Sequence, residues 1–242
     1  MENLKSIKEA LCAEYKYRIE LHAHTKPASP CSEILPEELA KTYSELGYDA
    51  VVVTNHFCSW IYRNVSRDEA LAAYLKDYED TRSAGEKYGL RVYLGAEARF
   101  DENANDYLVY GVDEKILSDC YDYFEKGVEA YRREVKLDKS VFLQAHPFRP
   151  DMVRVNPDLL DGIEVFNMHP GHNSGIGLAA KYAKEKGASV VTAGSDYHHK
   201  DRDHEGVSAI RCKYLPDDGF GLAEILKSGD YLMEIGGQII LP

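Results

Sequence analysis

LHAHT, residues 21–25, sets two histidines two positions apart at the end of an apolar run, RIELHAHT (18–25), that reads as a strand. Buried strands favour β-branched and aromatic side chains over imidazoles. Side chains at i and i+2 of a strand point the same way, so His22 and His24 share one face. Strand-like runs recur along the chain: DAVVVTNH (49–56), RVYLGAEARF (91–100), DYLVYGV (106–112), VFLQAHP (141–147), GIEVFN (162–167), ASVVTAGSDYH (188–198) and VSAIRCKY (207–214). Helical patterns separate most of them. ILPEELAKTYSELG (34–47) has Pro36 near its start and Gly47 as its stop. In SRDEALAAYLKDYEDTRSAGEKYG (66–89), Ser66 and Glu69 make a capping box. Further helices are expected at about 114–135, at 174–186 and in GFGLAEILKSG (219–229). Strands alternating with helices imply an α/β fold with a parallel sheet of βα units. Seven or eight units suggest one barrel-like domain over residues 1–242, with a helix in residues 1–17 packed outside it. An open doubly wound sheet is the alternative.

The chain has 242 residues, 44% hydrophobic and 29% charged, as expected of a soluble globular protein. Its apolar runs are too short to cross a bilayer, and the N-terminal segment lacks the apolar stretch of a signal peptide. Five scattered cysteines without CxxC spacing suit a reducing cytoplasm. A net charge of −12 argues against long nucleic acids as partners, since phosphate backbones are held by a surplus of Lys and Arg. A small phosphorylated substrate needs only a few local cations.

The unusual polar residues gather at strand ends. His22 and His24 end the first strand, His56 the second, Glu97 the third, His146 the strand at 141–147, and Asp196 and His198 the strand at 188–198. In a closed parallel barrel those ends converge on one face. Five imidazoles and two carboxylates in one partly dry place are costly without a compensating charge. Divalent metals supply it, and imidazole with carboxylate suits Zn, Fe or Mn. Seven ligands exceed one tetrahedral ion, so at least two metals are expected. Singly, each residue also has a packing or ion-pair reading; the conjunction carries the inference.

The ordered set HAHT, TNH, GAE, AHPFR and GSDYH resembles the PHP (polymerase and histidinol phosphatase) family of metal-dependent phosphoesterases, from about residue 18 to about residue 210. The resemblance implies a distorted (β/α)7 barrel, two or three Zn, Fe or Mn ions, and phosphoester hydrolysis. It places ligands on His22, His24, His56, Glu97, His146, Asp196 and His198, with Glu97 bridging two ions. GIEVFN resembles the family's strand before the last motif. Three departures stand out. Asn55 occupies the place of the usual Asp of TDH, Asp106 stands near a usual histidine, and Ser29, Cys31 or Glu33 stand where an Asp or His often follows the HxH. Asp106 and Cys31 are therefore alternative ligands for the less secure sites, against a bland reading of Cys31 as a buried inert thiol.

The expected chemistry is in-line attack on phosphorus by a metal-activated hydroxide. Arg149, three residues past His146, is the first candidate phosphate holder; Arg99 and Lys26 are others. His198 or a bound water protonates the leaving oxygen. His169, His172, His199 and His204 line the pocket or belong to plain loops, and Trp60 in SWIYRNVS (59–66) forms a rim or anchors its loop. Two rivals remain open: an amidohydrolase-like metallohydrolase, which also begins with HxH, and a noncatalytic metal-binding module.

Overall fold

The computed structural model describes residues 2–200 and 205–242. His204 lies outside the described residues. In chain order the elements are α1 (Glu2–Glu14), β1 (Tyr17–Ala23), α2 (Pro36–Glu45), β2 (Ala50–Val53), β3 (His56–Cys58), α3 (Ser59–Tyr62), α4 (Arg67–Tyr88), β4 (Arg91–Arg99), β5 (Asp106–Tyr110), α5 (Glu114–Tyr123), α6 (Val128–Glu134) and β6 (Val141–Gln144). A short 3-10 turn (Pro157–Leu159) leads to β7 (Gly162–Asn167), α7 (Ile176–Lys186), β8 (Val190–Gly194), β9 (Ser208–Cys212), α8 (Gly219–Ser228), β10 (Leu232–Ile235) and β11 (Gln238–Ile240).

The fold is mixed α/β around one curled sheet, ordered β11-β10-β9-β1-β2-β4-β5-β6-β7-β8, with β3 paired to β4 beyond the end of β2. Parallel pairing holds for β1–β2, β2–β4, β6–β7 and β7–β8. The uniformly parallel sheet expected from the sequence is corrected at β5, which runs antiparallel to both β4 and β6. The link from Arg99 to Asp106 is too short to carry a crossover helix, so the chain must turn back. DYLVY is buried at all five positions and carries the near-continuous apolar pattern of a parallel strand. That pattern reports burial on both faces and says nothing of direction. β9, β10 and β11 extend the sheet antiparallel beyond β1.

The curl brings the two ends of the set together. Beyond β8, the backbone of Tyr197 bridges to β1: His24 N–H donates to Tyr197 O at 3.0 Å, and Tyr197 N–H to His22 O at 3.3 Å. Ile19, Leu21, Leu108, Tyr110, Leu143 and Ile210 fill the concave side and meet Leu222 and Leu226 of α8, which plugs one end. α2 and α4 cover one flank through Leu39, Tyr43 and Ala84, and α5 and α6 another through Leu117 and Tyr131. Each fully buried Leu or Ile contributes about 1.5–3 kcal/mol. The opposite end, where β1, β6 and β8 finish, is lined by polar side chains instead.

The capping signals hold. Ser66 accepts from Glu69 N–H and Glu69 closes the box on α4, which ends at left-handed Gly89. The helical stretch expected at about 114–135 forms two helices, α5 and α6, separated around Gly127, whose φ of 87° no helix accommodates. Among the described residues no helix is long and apolar enough to cross a membrane.

Candidate metal centre

The seven expected ligands reach the cluster from five strands, His22 with His24 from β1 and Asp196 with His198 from the exit of β8. His22 lies within β1 and His24 just past it; their rings sit 5.0 Å apart, centroid to centroid. His56 opens β3 rather than closing β2, because the chain kinks after Val53 and re-pairs with β4. That pairing sets His56 directly opposite Glu97. His146 and Asp196 follow β6 and β8 with φ of 28° and 53°, a turn that aims their side chains back across the sheet's mouth.

Glu97 is the hub. Its Oε1 lies 3.0 Å from His146 Nε2 and 3.5 Å from His22 Nε2. Its Oε2 lies 2.9 Å from His56 Nδ1 and 3.4 Å from His24 Nε2. Asp196 Oδ1 stands 3.5 Å from His22 Nε2, 3.4 Å from His24 Nε2 and 3.1 Å from His198 Nδ1. The rings of His24 and His198 stack at 3.9 Å. Among the described residues, three sets of donors have atoms within 4.8 Å of one another: His24, His56 and His198; His22, His24 and Asp196; His56, Glu97 and Asp106.

The donor set fits divalent cations. His22 Nε2, His24 Nε2 and Glu97 Oε2 are buried and have no hydrogen-bond partner. An unsatisfied buried polar atom costs about 1–3 kcal/mol. These three point at one another's neighbourhood, where a cation would accept all their lone pairs. Imidazole nitrogen and carboxylate oxygen are ligands for divalent metals. Charge in the site is arranged accordingly. Burial alone would lower His22, but the carboxylates of Glu164, Asp196 and Glu97 hold its pKa well above the usual value. Burial, reinforced by His198, pushes His24 well below it. Burial opposes charge on His198 too, yet its bond to Asp196 lifts it to about 9. Glu97 stays well below the carboxylate range despite burial, because His56 and His22 face it.

The remaining candidates fall into place around this core. Arg99 forks onto Asp106 with both bonds at 2.7 Å, so it neutralises a second acid beside the cluster rather than facing the mouth with a free guanidinium. Asp106 Oδ2 is 3.8 Å from His146 Nε2. Arg149 Nη2 lies 2.5 Å from Asp196 Oδ2, while its Nε is buried without a partner. Lys26 is exposed on the loop after Thr25. Cys31 is exposed, correcting the expectation of a buried thiol. Burial at its sulfur resists ionisation, but hydrogen bonds from His198 and His56 bring it down to about 6. His169 is buried with its ring 5.7 Å from His198 and 4.7 Å from His172, so the HPGH segment closes over the site. Trp60 is 43% exposed with its ring 6.4 Å from that of His56, on the rim.

Two carboxylates escaped the sequence reading. Glu164 in β7 accepts from His22 Nδ1 at 2.8 Å and from His146 N–H at 3.0 Å. This carboxylate fixes which ring nitrogen of His22 faces the cluster. Glu20 in β1 accepts from the N–H groups of His22 at 2.9 Å and Ser195 at 3.0 Å, and burial raises it to about 7. Glu20 precedes His22 by two, so the same alternation that paired the histidines marked it. Glu164 was marked as an acid inside a fully apolar strand. Gly194 makes its approach possible: a Cβ there would lie 2.4 Å from His22 Cβ and 2.6 Å from Glu164 Oε1.

No family model matches this chain. A stretch of 113 residues, 47% of the chain, is 25% identical to DNA polymerase III PolC-type from Oceanobacillus iheyensis, of which it covers 7%. Over 92% of its length the chain superposes, with a TM-score of 0.66 and 16% identity, on 66% of a two-domain protein from Bacteroides vulgatus containing a predicted PHP-like metal-dependent phosphoesterase. An amidohydrolase from Chromobacterium violaceum aligns over 76% of this chain and 89% of its own at 16% identity, but a TM-score of 0.48 is too low to bear on function. The chain thus spans a small part of the polymerase and about two thirds of the Bacteroides protein. Its fold is that of the PHP-like metal-dependent phosphoesterases, the family that its ordered motifs resemble.

Proposed function

We propose that this chain hydrolyses a small phosphomonoester or phosphodiester with the help of two or three Zn, Fe or Mn ions. The observation that carries the reading is Glu97, whose two oxygens face two different pairs of histidines, His22 with His146 and His24 with His56. A carboxylate so placed is built to be shared between two cations. Bound ions would supply Lewis acidity and an activated water for in-line attack at phosphorus. His22, His24, His56, His146, His198, Glu97 and Asp196 would hold them, with Asp106 and Cys31 at the margin. The buried acid Glu164 orients the ring of His22 through Nδ1, and Glu20 holds the backbone N–H of the same residue. Arg149 reaches from the HPFR turn to take phosphate oxygens, exchanging its contact with Asp196 for the substrate. With His198 holding an ion, the proton for the leaving oxygen would come from a water bound beside it.

Loaded with Mn or Zn, the purified protein should hydrolyse p-nitrophenyl phosphate or its bis-ester. Stoichiometric metal without turnover of either ester rejects the phosphoesterase reading and leaves a metal-binding module.

Arg149→Met should raise KM for the cleaved ester by roughly 10- to 100-fold, the value of a charge-assisted hydrogen bond, with metal content unchanged. Arg149→Lys should recover only part, because an ammonium lacks the planar fork. Unchanged KM in both variants would remove Arg149 from substrate binding.

A further inference from the structure

Asn55, next in sequence to His56, is buried beside the candidate metal centre with both ends of its amide bonded. Asp77, in the middle of α4, is 1% exposed, and its Oδ2 accepts from Asn55 Nδ2 at 2.7 Å and from Thr25 Oγ1 at 2.5 Å. Asn55 Nδ2 also reaches Thr25 Oγ1 at 3.0 Å. On its other side, Asn55 Oδ1 accepts from Thr25 N–H at 2.7 Å and from Ser29 Oγ at 2.9 Å. Ser29 Oγ in turn accepts from His56 N–H at 2.9 Å and lies 3.1 Å from His24 Nδ1. Thr25, Ser29 and Asn55 are all fully buried.

The hydrogen-bond inventory of these groups fixes the direction of every proton in the chain. An ionised carboxylate only accepts, so Asp77 draws the NH2 end of Asn55. The carbonyl end then faces Ser29 and takes its one hydroxyl proton. With that proton spent, Ser29 Oγ offers only lone pairs, and His24 Nδ1 must bear the hydrogen of their contact. His24 Nε2 is left as a bare lone pair, and it is the buried, unpartnered atom that faces Glu97 and Asp196.

We propose that Asp77 is a positioning residue for the metal centre: through Asn55 and Ser29 it sets the tautomer and ring orientation of His24. This rests on the metal-centre reading above, and on nothing about the substrate. Were the amide of Asn55 free to turn over, its NH2 would face Ser29, the serine hydroxyl would be pushed toward His24, and Nε2 would have to carry the proton that blocks a cation. Outer partners of metal-binding histidines are typically worth 10- to 100-fold in affinity.

Titration calorimetry of the full chain with Mn(II), and separately with Zn(II), tests this, with circular dichroism confirming that each variant folds. Asp77→Asn, whose amide can turn either end toward Asn55, should weaken the tightest site by 10-fold or more. Asn55→Asp alone sets two carboxylates in contact and should also weaken it. The exchange Asn55→Asp/Asp77→Asn returns one acid to the pair and keeps an acceptor facing Ser29, so affinity should return to within about threefold of wild type. Ser29→Ala cuts the chain at its link to His24 with no change of charge and should lose about 10-fold, which keeps the test decisive if an Asp77 variant fails to fold. Long-range nitrogen–proton NMR of the metal-free protein should show His24 protonated at Nδ1 in wild type and mixed in Asp77→Asn. Wild-type affinity in Asp77→Asn or in Ser29→Ala, or a double variant no better than the singles, overturns the proposal while leaving the metal centre standing. Wild type that binds neither metal overturns both.

Discussion

Glu97→Gln should cost the protein at least one bound ion and about a thousandfold of the phosphoester hydrolysis proposed for it. Glutamine has the same shape, so the loss isolates the charge. In the wild type one carboxylate serves four imidazoles, His146 and His56 at 3.0 and 2.9 Å, His22 and His24 at 3.5 and 3.4 Å. An amide presents one oxygen and one NH2 group; the NH2 end must face either the His22 pair or the His24 pair and repels a cation there. Losing a cation's stabilisation of the reacting phosphate is worth several kcal/mol, and about 4 kcal/mol is a factor of a thousand. Deleting one partner of a buried ion pair can cost about 3–5 kcal/mol when a charge is stranded. Here the histidines can release their protons instead, so the metal-free variant should melt within a few degrees of the metal-free wild type. Plasma emission spectrometry for metal content and the rate on p-nitrophenyl esters read the two effects. Full metal occupancy with a rate within tenfold of wild type would reduce Glu97 to an ion-pair acceptor.

The cluster was legible because it is made of residues that strands ordinarily exclude. A histidine pair at i and i+2 in β1, and single polar residues at the ends of later strands, needed only the convergence of strand ends to become one site. The rest was hidden for identifiable reasons. DYLVY reads alike whether it runs parallel or antiparallel, since burial on both faces erases the alternation that would distinguish them. The β10–β11 hairpin was missed although Gly236 and Gly237, both with positive φ, spell a two-residue turn between two short apolar runs. Arg99 looked like a phosphate ligand because a sequence does not show that the antiparallel β4–β5 register sets it opposite Asp106. Asp77 had no signal at all: an acid on an amphipathic helix looks solvent-facing until α4 is laid against the loop that carries Thr25.

Stripping the metals should destabilise the protein, and the deficit should widen with pH. A cation present at about a thousand times its dissociation constant stabilises the folded state by about 4 kcal/mol. For a chain of this size that is a fall in Tm of roughly 8–16 °C on chelation. The pH dependence follows from His198. In the metal-free protein burial works against its charge, but Asp196 prevails and lifts its pKa to about 9. A histidine raised above its unfolded value of about 6.5 binds its proton more tightly when folded. The stability this gives the metal-free form is complete below pH 6.5 or so, and it fades as pH climbs through 9. The metal-bound form runs the other way, because a cation takes only the neutral imidazole and must first displace that proton. Between pH 6.5 and 9 the metal-free Tm should therefore fall relative to the metal-bound one. Differential scanning fluorimetry with and without chelator, in buffers across that window, reads the gap directly. His198→Gln removes the titrating group and should flatten the trend while leaving a smaller, pH-insensitive gap from the ligands that remain. A gap that stays constant or narrows with rising pH in the wild type would mean that His198 gives up no proton on metal binding, and it would drop out of the ligand set.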